Sequence, residues 1–227
     1  ITVGPHDFAE STWGTGAFTL DNFLSWSDMM AHQEDARLAV GVRQFRAPRL
    51  VARTHGQAPA GAAARELLGS GATWYESWLS HPDGTDPFWE NMALADTLDK
   101  VDVPVLLIGG WQDLFLEQTL TQFQRLQQRG VPTAVTIGSW THSQVMTRGG
   151  AMVLRESLAW LDTHLAETTP TPERPAVRVE VNGQGWLTMP EWPPAATELE
   201  LFLQPAHRLG ATSPADTAPP SRFTFGS

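Results

Sequence analysis

The 227-residue sequence contains no cysteine, a single tyrosine and no apolar run long enough to cross a membrane. Without cysteine, the chain cannot form a disulfide, a zinc–thiolate centre or a cysteine nucleophile. Basic residues are also scarce, because 15 Lys and Arg stand against 25 Asp and Glu, a net charge of −10, and no basic cluster is present. This balance argues against nucleic acid and anionic membrane surfaces as partners. The first residues lack the basic and apolar segments of a secretory signal, so we expect a cytoplasmic protein.

What is present is the composition of a globular chain, with 41% hydrophobic residues and 19 glycines. Residues 1–20 are rich in Gly and Thr and predict a loop. Residues 21–92 carry helical patterning, in which Asp21 can cap one helix and Gly69 can end another that begins at Ala60. The first part of the chain therefore predicts a loop that leads into a helical region.

Residues 93–170 alternate strands with helices. A strand is predicted over 103–108, since this short apolar run ends at a pair of glycines and is typical of a strand buried on both faces. A helix over 117–129 and a second strand over 133–137 follow. The next helix is predicted over 151–166 from leucines at four- and three-residue spacing, namely Leu154, Leu158, Leu161 and Leu165. Strands that alternate with helices through short links predict a parallel sheet in an α/β fold.

A Pro-rich linker over 168–175 precedes the last segment. Beyond it, apolar and polar residues alternate with period two over Ala176–Val181 and again over Glu198–Leu203, and both stretches predict antiparallel strands. We therefore expect a β domain over 175–227 that stops after two or three strands, which are too few to be stable alone.

Polar residues follow both predicted parallel strands, because Asp113 comes after the first and His142 after the second. Ligands bind at this end of the strands in open α/β sheets. An acid after one strand and a histidine after the next form the final part of the order Ser…Asp…His found in α/β-hydrolases. There the imidazole accepts the proton of a serine hydroxyl, while the carboxylate orients the imidazole and stabilises its charged form. Two other interpretations stay open: Asp113 as a cap for the helix that begins near Glu117, and His142 as a solvated loop residue.

Other candidate sites are weaker. The loop His81-Pro-Asp-Gly-Thr-Asp86 offers oxygen ligands, but it lacks the Asp/Asn ladder and terminal Glu of a calcium loop. The segments Gly14-Thr-Gly16 and Gly69-Ser-Gly71 match no phosphate-binding motif and predict turns. We therefore expect neither a metal nor a cofactor.

Five short motifs stand in order along the chain: Trp78-Leu-Ser-His81-Pro-Asp, Gly110-Trp-Gln-Asp113-Leu-Phe115, Gly138-Ser-Trp-Thr-His142-Ser, Val177-Arg-Val-Glu-Val and Glu191-Trp-Pro. In combination they resemble motifs of the cocaine esterase and X-Pro dipeptidyl-peptidase family of serine hydrolases. The resemblance covers essentially the whole chain. It implies the C-terminal part of an α/β-hydrolase domain with an inserted helical cap, followed by the start of a jelly-roll β domain.

The resemblance assigns each segment and each site residue a place. Residues 1–20 and 93–170 belong by resemblance to the hydrolase domain, residues 21–92 to the cap, and residues 175–227 to the truncated jelly roll. By the same resemblance, Asp113 is the triad acid and His142 is the general base. Three aromatic residues form walls of the acyl pocket, namely Trp13, Trp26 and Phe115. For Trp13 and Trp26, packing inside the cap is the alternative interpretation.

One departure from the family is large. The family's nucleophile lies in a Gly-x-Ser-x-Gly motif before the cap, and the sequence contains no such motif. Gly69-Ser70-Gly71 has no strand before it, while Ser139 and Ser143 follow the last strand. We expect an internal fragment of a serine hydrolase of small acyl esters, amides or peptides, with the missing N-terminal segment or a second copy of the chain as its partner. The alternative is a pseudoenzyme, a non-catalytic module that binds a ligand or a partner.

Overall fold

The structure is a computed structural model that describes residues 1–34, 46–54, 57, 59–69, 72–165, 174–205 and 208–215. The chain divides into two compact units, Ile1–Trp192 and Pro193–Ser227, which are treated separately below. Within the described ranges, no helix combines the length and the apolar character needed to cross a membrane.

The first unit is built on a four-stranded sheet in the order β1-β2-β3-β4. Its strands are β1 (Val105–Gln112), β2 (Thr133–Thr141), β3 (Val177–Val181) and β4 (Gly185–Met189). β2 pairs in parallel with both β1 and β3, and β4 closes the edge antiparallel to β3. The predicted α/β fold with a parallel sheet is therefore confirmed.

Helices cover the sheet and precede it along the chain. Before β1 lie α1 (Phe8–Trp13), α2 (Leu20–Ala31), α3 (residues 46–54), α4 (Ala60–Leu68), α5 (Trp74–Ser80) and two 3₁₀ helices, Pro87–Met92 and Ala95–Lys100. After β1 come α6 (Leu116–Gln128), α7 (His142–Met146) and α8 (Gly150–Leu165). The predicted order of strand, helix, strand and helix over 103–166 is present, with the short α7 inserted directly after β2.

Residues 1–20 are not a simple loop. Thr2 forms a parallel bridge with Ile108, and the N–H of Val3 donates to the Ile108 carbonyl at 2.9 Å, so the first residues extend the sheet beyond β1. Further on, Asp7 caps α1 by accepting the Glu10 N–H at 2.9 Å. Glycine and threonine content indicated a loop here, whereas the capping carboxylate is the signal that specifies a helix.

The helices from α1 to the 3₁₀ helix Pro87–Met92 are called the helical part below. An aromatic cluster forms its core. Tyr75, Trp78 and Trp89 are almost fully buried there, together with Phe23 and Leu24 of α2. Their rings meet mostly edge-on or tilted, which is the arrangement that the quadrupoles of aromatic rings favour. This core holds half of the ten tryptophans of the sequence, namely Trp13, Trp26, Trp74, Trp78 and Trp89.

The expected β domain over 175–227 does not begin at residue 175. β3 pairs with β2 inside the main sheet, and Val177 and Val179 are buried in the same core as Phe123 of α6. The first unit therefore ends only after Trp192. Period-two alternation identifies a strand but does not identify the strand beside it, which is why the sequence placed this one in the wrong sheet.

The second unit is small in the part of the chain that the structure describes. Two short strands, β5 (Phe202–Gln204) and β6 (Arg208–Gly210), pair antiparallel. The predicted strand over Glu198–Leu203 overlaps β5 by only two residues. The rest of the expected jelly roll, from residue 216 onward, lies outside the described residues.

α8 turns its four leucines outward. Leu154, Leu158, Leu161 and Leu165 are between 48% and 75% exposed, whereas Val153 and Glu156 are buried. The buried Glu156 carboxylate pairs with the guanidinium of Arg174 at 2.6 Å and also with Arg178. Two guanidinium groups compensate the charge of the buried carboxylate, so Glu156 can be buried without an unpaired charge. The face of α8 with Glu156, and not the face with the leucines, therefore lies against the sheet.

The close approach of β1 to the end of β2 depends on one glycine. A Cβ built on Gly110 would lie 2.1 Å from the carbonyl oxygen of Trp140, whereas a Cβ on Gly150 would meet nothing within 4 Å. Gly110→Ala should therefore force the strands apart and lower the free energy of unfolding by about 2–3 kcal/mol. Gly150→Ala, the matched control, should change stability by less than about 1 kcal/mol in either direction. Urea denaturation of both variants tests this, and equal stabilities would contradict it.

Candidate active site

Asp113 and His142 meet at the carboxyl ends of β1 and β2. The last paired residues of the two strands are Gln112 and Thr141, so the next residue in each chain is one of this pair. Asp113 Oδ2 lies 3.0 Å from His142 Nδ1. Parallel pairing in this register thus brings together two side chains that are 29 residues apart in the sequence.

The Asp113 carboxylate uses both of its oxygens. Oδ1 accepts the N–H of Phe115 at 2.6 Å, and Oδ2 faces the His142 ring. The Asp113 side chain is only 1% exposed. Capping α6 and orienting the histidine had been alternatives; the helix start has Phe115 as its N-cap without a side-chain cap, and Asp113 instead bonds the turn before it while facing the histidine.

His142 begins α7 and is held by its backbone as well as by its ring. Thr141 and Gln144 form a capping box around it, in which the Thr141 N–H donates to Gln144 Oε1 at 3.2 Å. The ring of Phe115 meets the imidazole edge-on, with centroids 5.4 Å apart. The His142 side chain nevertheless stays 45% exposed.

Hydrogen bonding fixes the role of each ring nitrogen. Among the described residues, Asp113 is the only hydrogen-bond partner of the His142 ring. A neutral imidazole that donates from Nδ1 to the carboxylate keeps Nε2 free to accept a proton. The arrangement can therefore take a proton from a hydroxyl group that approaches from solvent.

Electrostatics favour the charged form of the histidine. The hydrogen bond that the imidazole donates to Asp113 and the negative charge of this carboxylate raise the pKa of His142 above its ordinary value of 6.5, although burial of the ring opposes them. The same pairing that orients the imidazole thus stabilises the imidazolium that forms when it accepts a proton.

The three predicted aromatic residues separate into two groups. Phe115 lies at the Asp113–His142 pair. Trp13 and Trp26 belong to the aromatic cluster of the helical part: the Trp13 indole donates to the Trp78 carbonyl at 2.8 Å, and the Trp26 ring lies 5.9 Å from that of Trp78. Trp13 also lines an open cleft of about 440 Å³ beside α1, and residue Trp26 is 42% exposed. Both tryptophans therefore pack within the helical part and still reach its surface.

No serine hydroxyl in the described part of the chain forms a hydrogen bond with His142. Ser139 has its N–H directed to Glu180 Oε2 at 2.8 Å. Ser70 and Gly71 of the Gly-Ser-Gly segment lie outside the described residues. Among the residues described, no group of three His, Asp or Glu side chains could hold a metal ion.

Sequence reasoning missed the glutamine that ties the helical part to the site. Gln118, on the first turn of α6, is 4% exposed and forms hydrogen bonds with His6, Asp7 and Ser11. The apolar positions of the helix were visible in its periodicity, but a buried polar side chain carries no periodic signal. Gln118 can be buried because its amide is hydrogen-bonded to a segment more than 100 residues earlier in the chain.

The family model for the X-Pro dipeptidyl-peptidase (S15 family) matches residues 1–144, which is more than half of the chain and includes both members of the pair. The chain belongs to this S15 family. It is 25% identical to the cocaine esterase of Rhodococcus sp. (strain MB1 Bresler) over 224 residues, an alignment that covers 89% of the chain and 38% of the relative.

Two solved structures share the fold of this S15 family chain. An aminopeptidase from a marine sediment archaeon, Thaumarchaeota archaeon, is 21% identical with a TM-score of 0.67, and the match covers 95% of the chain and 38% of the aminopeptidase. An alpha-amino acid ester hydrolase is 22% identical with a TM-score of 0.55, over 70% of the chain and 30% of the hydrolase. The chain thus spans about two fifths or less of the length of these relatives.

The Asp113–His142 hydrogen bond predicts how a substitution of Asp113 changes the pKa of His142. Asp113→Asn removes the charge, so the pKa of His142 should fall from its raised value towards or below 6.5. Because the pKa is raised by folding, the pairing stabilises the folded protein fully below about pH 6.5, and this stabilisation is lost as the pH rises through the higher folded value. NMR titration of the His142 ring measures the shift.

The control for this titration is Asp86→Asn. Asp86 accepts the Phe88 N–H at 2.8 Å, the same residue-to-residue-plus-two contact that Asp113 makes with Phe115, but it has no bond to His142. The titration of His142 should be unchanged in this variant. An identical pKa in wild type and Asp113→Asn would show that the pair does not interact in solution.

Proposed function

We propose that the protein containing this chain is a serine hydrolase of acyl esters or amides, in which Asp113 is the triad acid and His142 the general base. The observation that carries the proposal is the buried Asp113 carboxylate held 3.0 Å from Nδ1 of a half-exposed imidazole. Membership of the S15 family supports it. So do the names of the relatives, which are an esterase, an aminopeptidase and an ester hydrolase.

The nucleophile in this proposal is a serine outside the 227 residues, since the sequence contains no Gly-x-Ser-x-Gly motif. A serine hydroxyl is a weak nucleophile until a base accepts its proton. His142 Nε2 takes that proton as the oxygen attacks the acyl carbonyl, and the imidazolium then returns it to the leaving alcohol or amine. Asp113 stabilises the imidazolium during the interval.

Asp113 is suited to this role because it needs no reorganisation. The Phe115 N–H holds one carboxylate oxygen at 2.6 Å, so the other already faces His142 before any substrate binds. Groups that are fixed in advance near developing charge contribute more than groups that must turn towards it. The backbone of α6 is thus part of the proposed machinery.

The finer domain and substrate assignments form part of the same proposal. Residues 21–92 act as a cap over the site, with Trp13, Trp26 and Phe115 as aromatic walls for the acyl group. Strands after Trp192 begin a jelly-roll domain. Support for the aromatic walls comes from the ring of Phe115 against His142 and from the cleft beside Trp13.

Hydrolysis by the full-length protein that contains this chain tests the proposal. The substrates are a p-nitrophenyl acyl ester and an X-Pro p-nitroanilide, and a fluorophosphonate reagent reports the activated serine. His142→Ala should lower turnover on the order of 10⁴-fold and abolish labelling. His164→Ala, on an exposed face of α8, is the matched control and should retain both. A wild-type protein that binds acyl compounds without turnover would instead indicate the non-catalytic module.

The role of Asp113 can be separated from simple helix capping by one isosteric change. Asparagine keeps an oxygen for the Phe115 N–H, but its amide group donates to Nδ1 and so leaves Nε2 protonated and unable to act as a base. Asp113→Asn should therefore cost on the order of 10³–10⁴-fold in kcat, with a loss of stability of about 1 kcal/mol or less.

Asp86→Asn changes a carboxylate that only caps, so its kcat should equal that of wild type. Turnover of both variants with the p-nitrophenyl ester and thermal denaturation of each provide the comparison. An Asp113→Asn protein with more than about a tenth of wild-type kcat would remove Asp113 from the mechanism.

A further inference from the structure

The helical part joins the rest of the first unit through a short pair of chain segments. The chain enters it at residues 6–7 and leaves it at residues 93–94; these four residues are called the neck below. The Leu94 N–H donates to the His6 carbonyl at 2.7 Å, and Asp7 forms an antiparallel bridge with Ala93. Entry and exit are therefore bonded to each other.

Gln118 bonds the neck to α6 with its entire side-chain amide. Oε1 accepts the N–H of His6 at 2.7 Å and the N–H of Asp7 at 2.9 Å. Nε2 donates to the Asp7 carbonyl at 2.7 Å and to Ser11 Oγ at 2.8 Å. Two donors and two acceptors are all that a glutamine amide offers. Only the shorter side chain of asparagine offers the same set, since glutamate lacks the donors and methionine lacks both.

This amide connects two parts of the proposed site. Gln118 lies three residues after Phe115, on the helix whose start is held by Asp113. Of its partners, Asp7 is the N-cap residue of α1 and Ser11 lies within that helix. Trp13 is the last residue of α1. The contacts of Gln118 thus contribute to the position of Trp13 relative to Phe115 and His142, beside those of Gln122 with Gly4 and His6.

We propose that Gln118 is a positioning residue for substrate binding: it holds α1, and with it Trp13, in a fixed position relative to Phe115 and His142. This inference rests on the proposed hydrolase function, since it assigns Gln118 to the acyl-binding side of that same site. Gln118 reaches neither substrate nor the reacting atoms. It acts through α1, so its loss affects how well the substrate is held and not how the proton moves.

The test compares Gln118→Met with Gln124→Met in the full-length protein that contains this chain. Gln124 lies on the same helix, but its amide donates to the Trp192 carbonyl and not to the neck. In Gln118→Met, KM for the p-nitrophenyl ester should rise about 10- to 100-fold, because a small misplacement of a binding group has effects of this size. The kcat and the acidic limb of the pH profile, which report His142, should stay as in wild type. Gln124→Met should match wild type throughout.

Hydrogen exchange gives a second readout that does not depend on activity. The amides of His6 and Asp7 lose their acceptor in Gln118→Met and should exchange at least about tenfold faster, while those of β1 and β2 should not change. Ser11→Ala removes only one partner of Gln118, so it keeps the test available if Gln118→Met does not fold. It should raise KM in the same direction by a smaller factor.

The outcomes separate this inference from the function on which it rests. Faster exchange at His6 and Asp7 with an unchanged KM would show that Gln118 only stabilises the fold, and the inference would be wrong. A fall in kcat or a shifted acidic limb without a change in KM would also overturn it. If wild type and His142→Ala hydrolyse the ester equally, the proposed function fails, and the role of Gln118 in substrate binding fails with it.

Discussion

The parallel pairing of β1 with β2 determines where Asp113 and His142 lie. The last paired residues, Gln112 and Thr141, end the two strands at the same edge of the sheet. Asp113 and His142, which follow them directly, therefore lie side by side. A slip of one residue would turn one of the two side chains to the opposite face of the sheet. The register shifts by one residue between Gly110 and Gln112, and this local irregularity is what pairs Gln112 with Thr141.

Apolar contact determines what is buried, and a few buried polar groups determine how the buried elements are aligned. Hydrophobic contact is non-directional, whereas a hydrogen bond specifies a distance and an angle. Gln118 aligns the neck with α6, and Glu156 with Arg174 aligns α8 with the strands. Thr136 of β2 joins that second network by accepting from Arg174 at 2.6 Å. Each network connects segments that are distant in sequence, and each lies where two elements must keep a fixed relation.

The parts of the fold that the sequence predicted are those that depend on local patterns. The strand over 103–108 was recognisable because a continuous apolar run that ends at a pair of glycines is typical of a strand with two buried faces. The strand over 133–137 was predicted as well. The helix predicted over 117–129 is present as α6 (Leu116–Gln128), and Gly130 beyond it adopts a φ of +74° that favours glycine. Asp113 and His142 could be proposed from the same information, since they follow those two strands.

The predictions that were wrong or missing concern residues whose contacts lie far away in the sequence. Val177-Arg-Val-Glu-Val alternates equally well beside any strand, so nothing local showed that β3 joins β2. The leucines of α8 share one face, but periodicity does not say whether that face or the one with Glu156 lies against the sheet. Gln118 gave no signal at all, because its partners are 107 to 112 residues away. In each case the missing information was the identity of a contact and not the type of element.

The contrast between the two members of the pair explains why a carboxylate and an imidazole are placed in this way. Asp113 is enclosed, with one oxygen fixed by the backbone of Phe115, so its charge keeps one position and is screened little by solvent. His142 is half-exposed, so Nε2 can meet a hydroxyl group and exchange protons with its surroundings. Were the histidine enclosed as well, burial would oppose its charged form more strongly and would lower the pKa that Asp113 raises. A fixed, buried carboxylate beside an accessible imidazole therefore gives the imidazole both a defined orientation and a higher affinity for a proton.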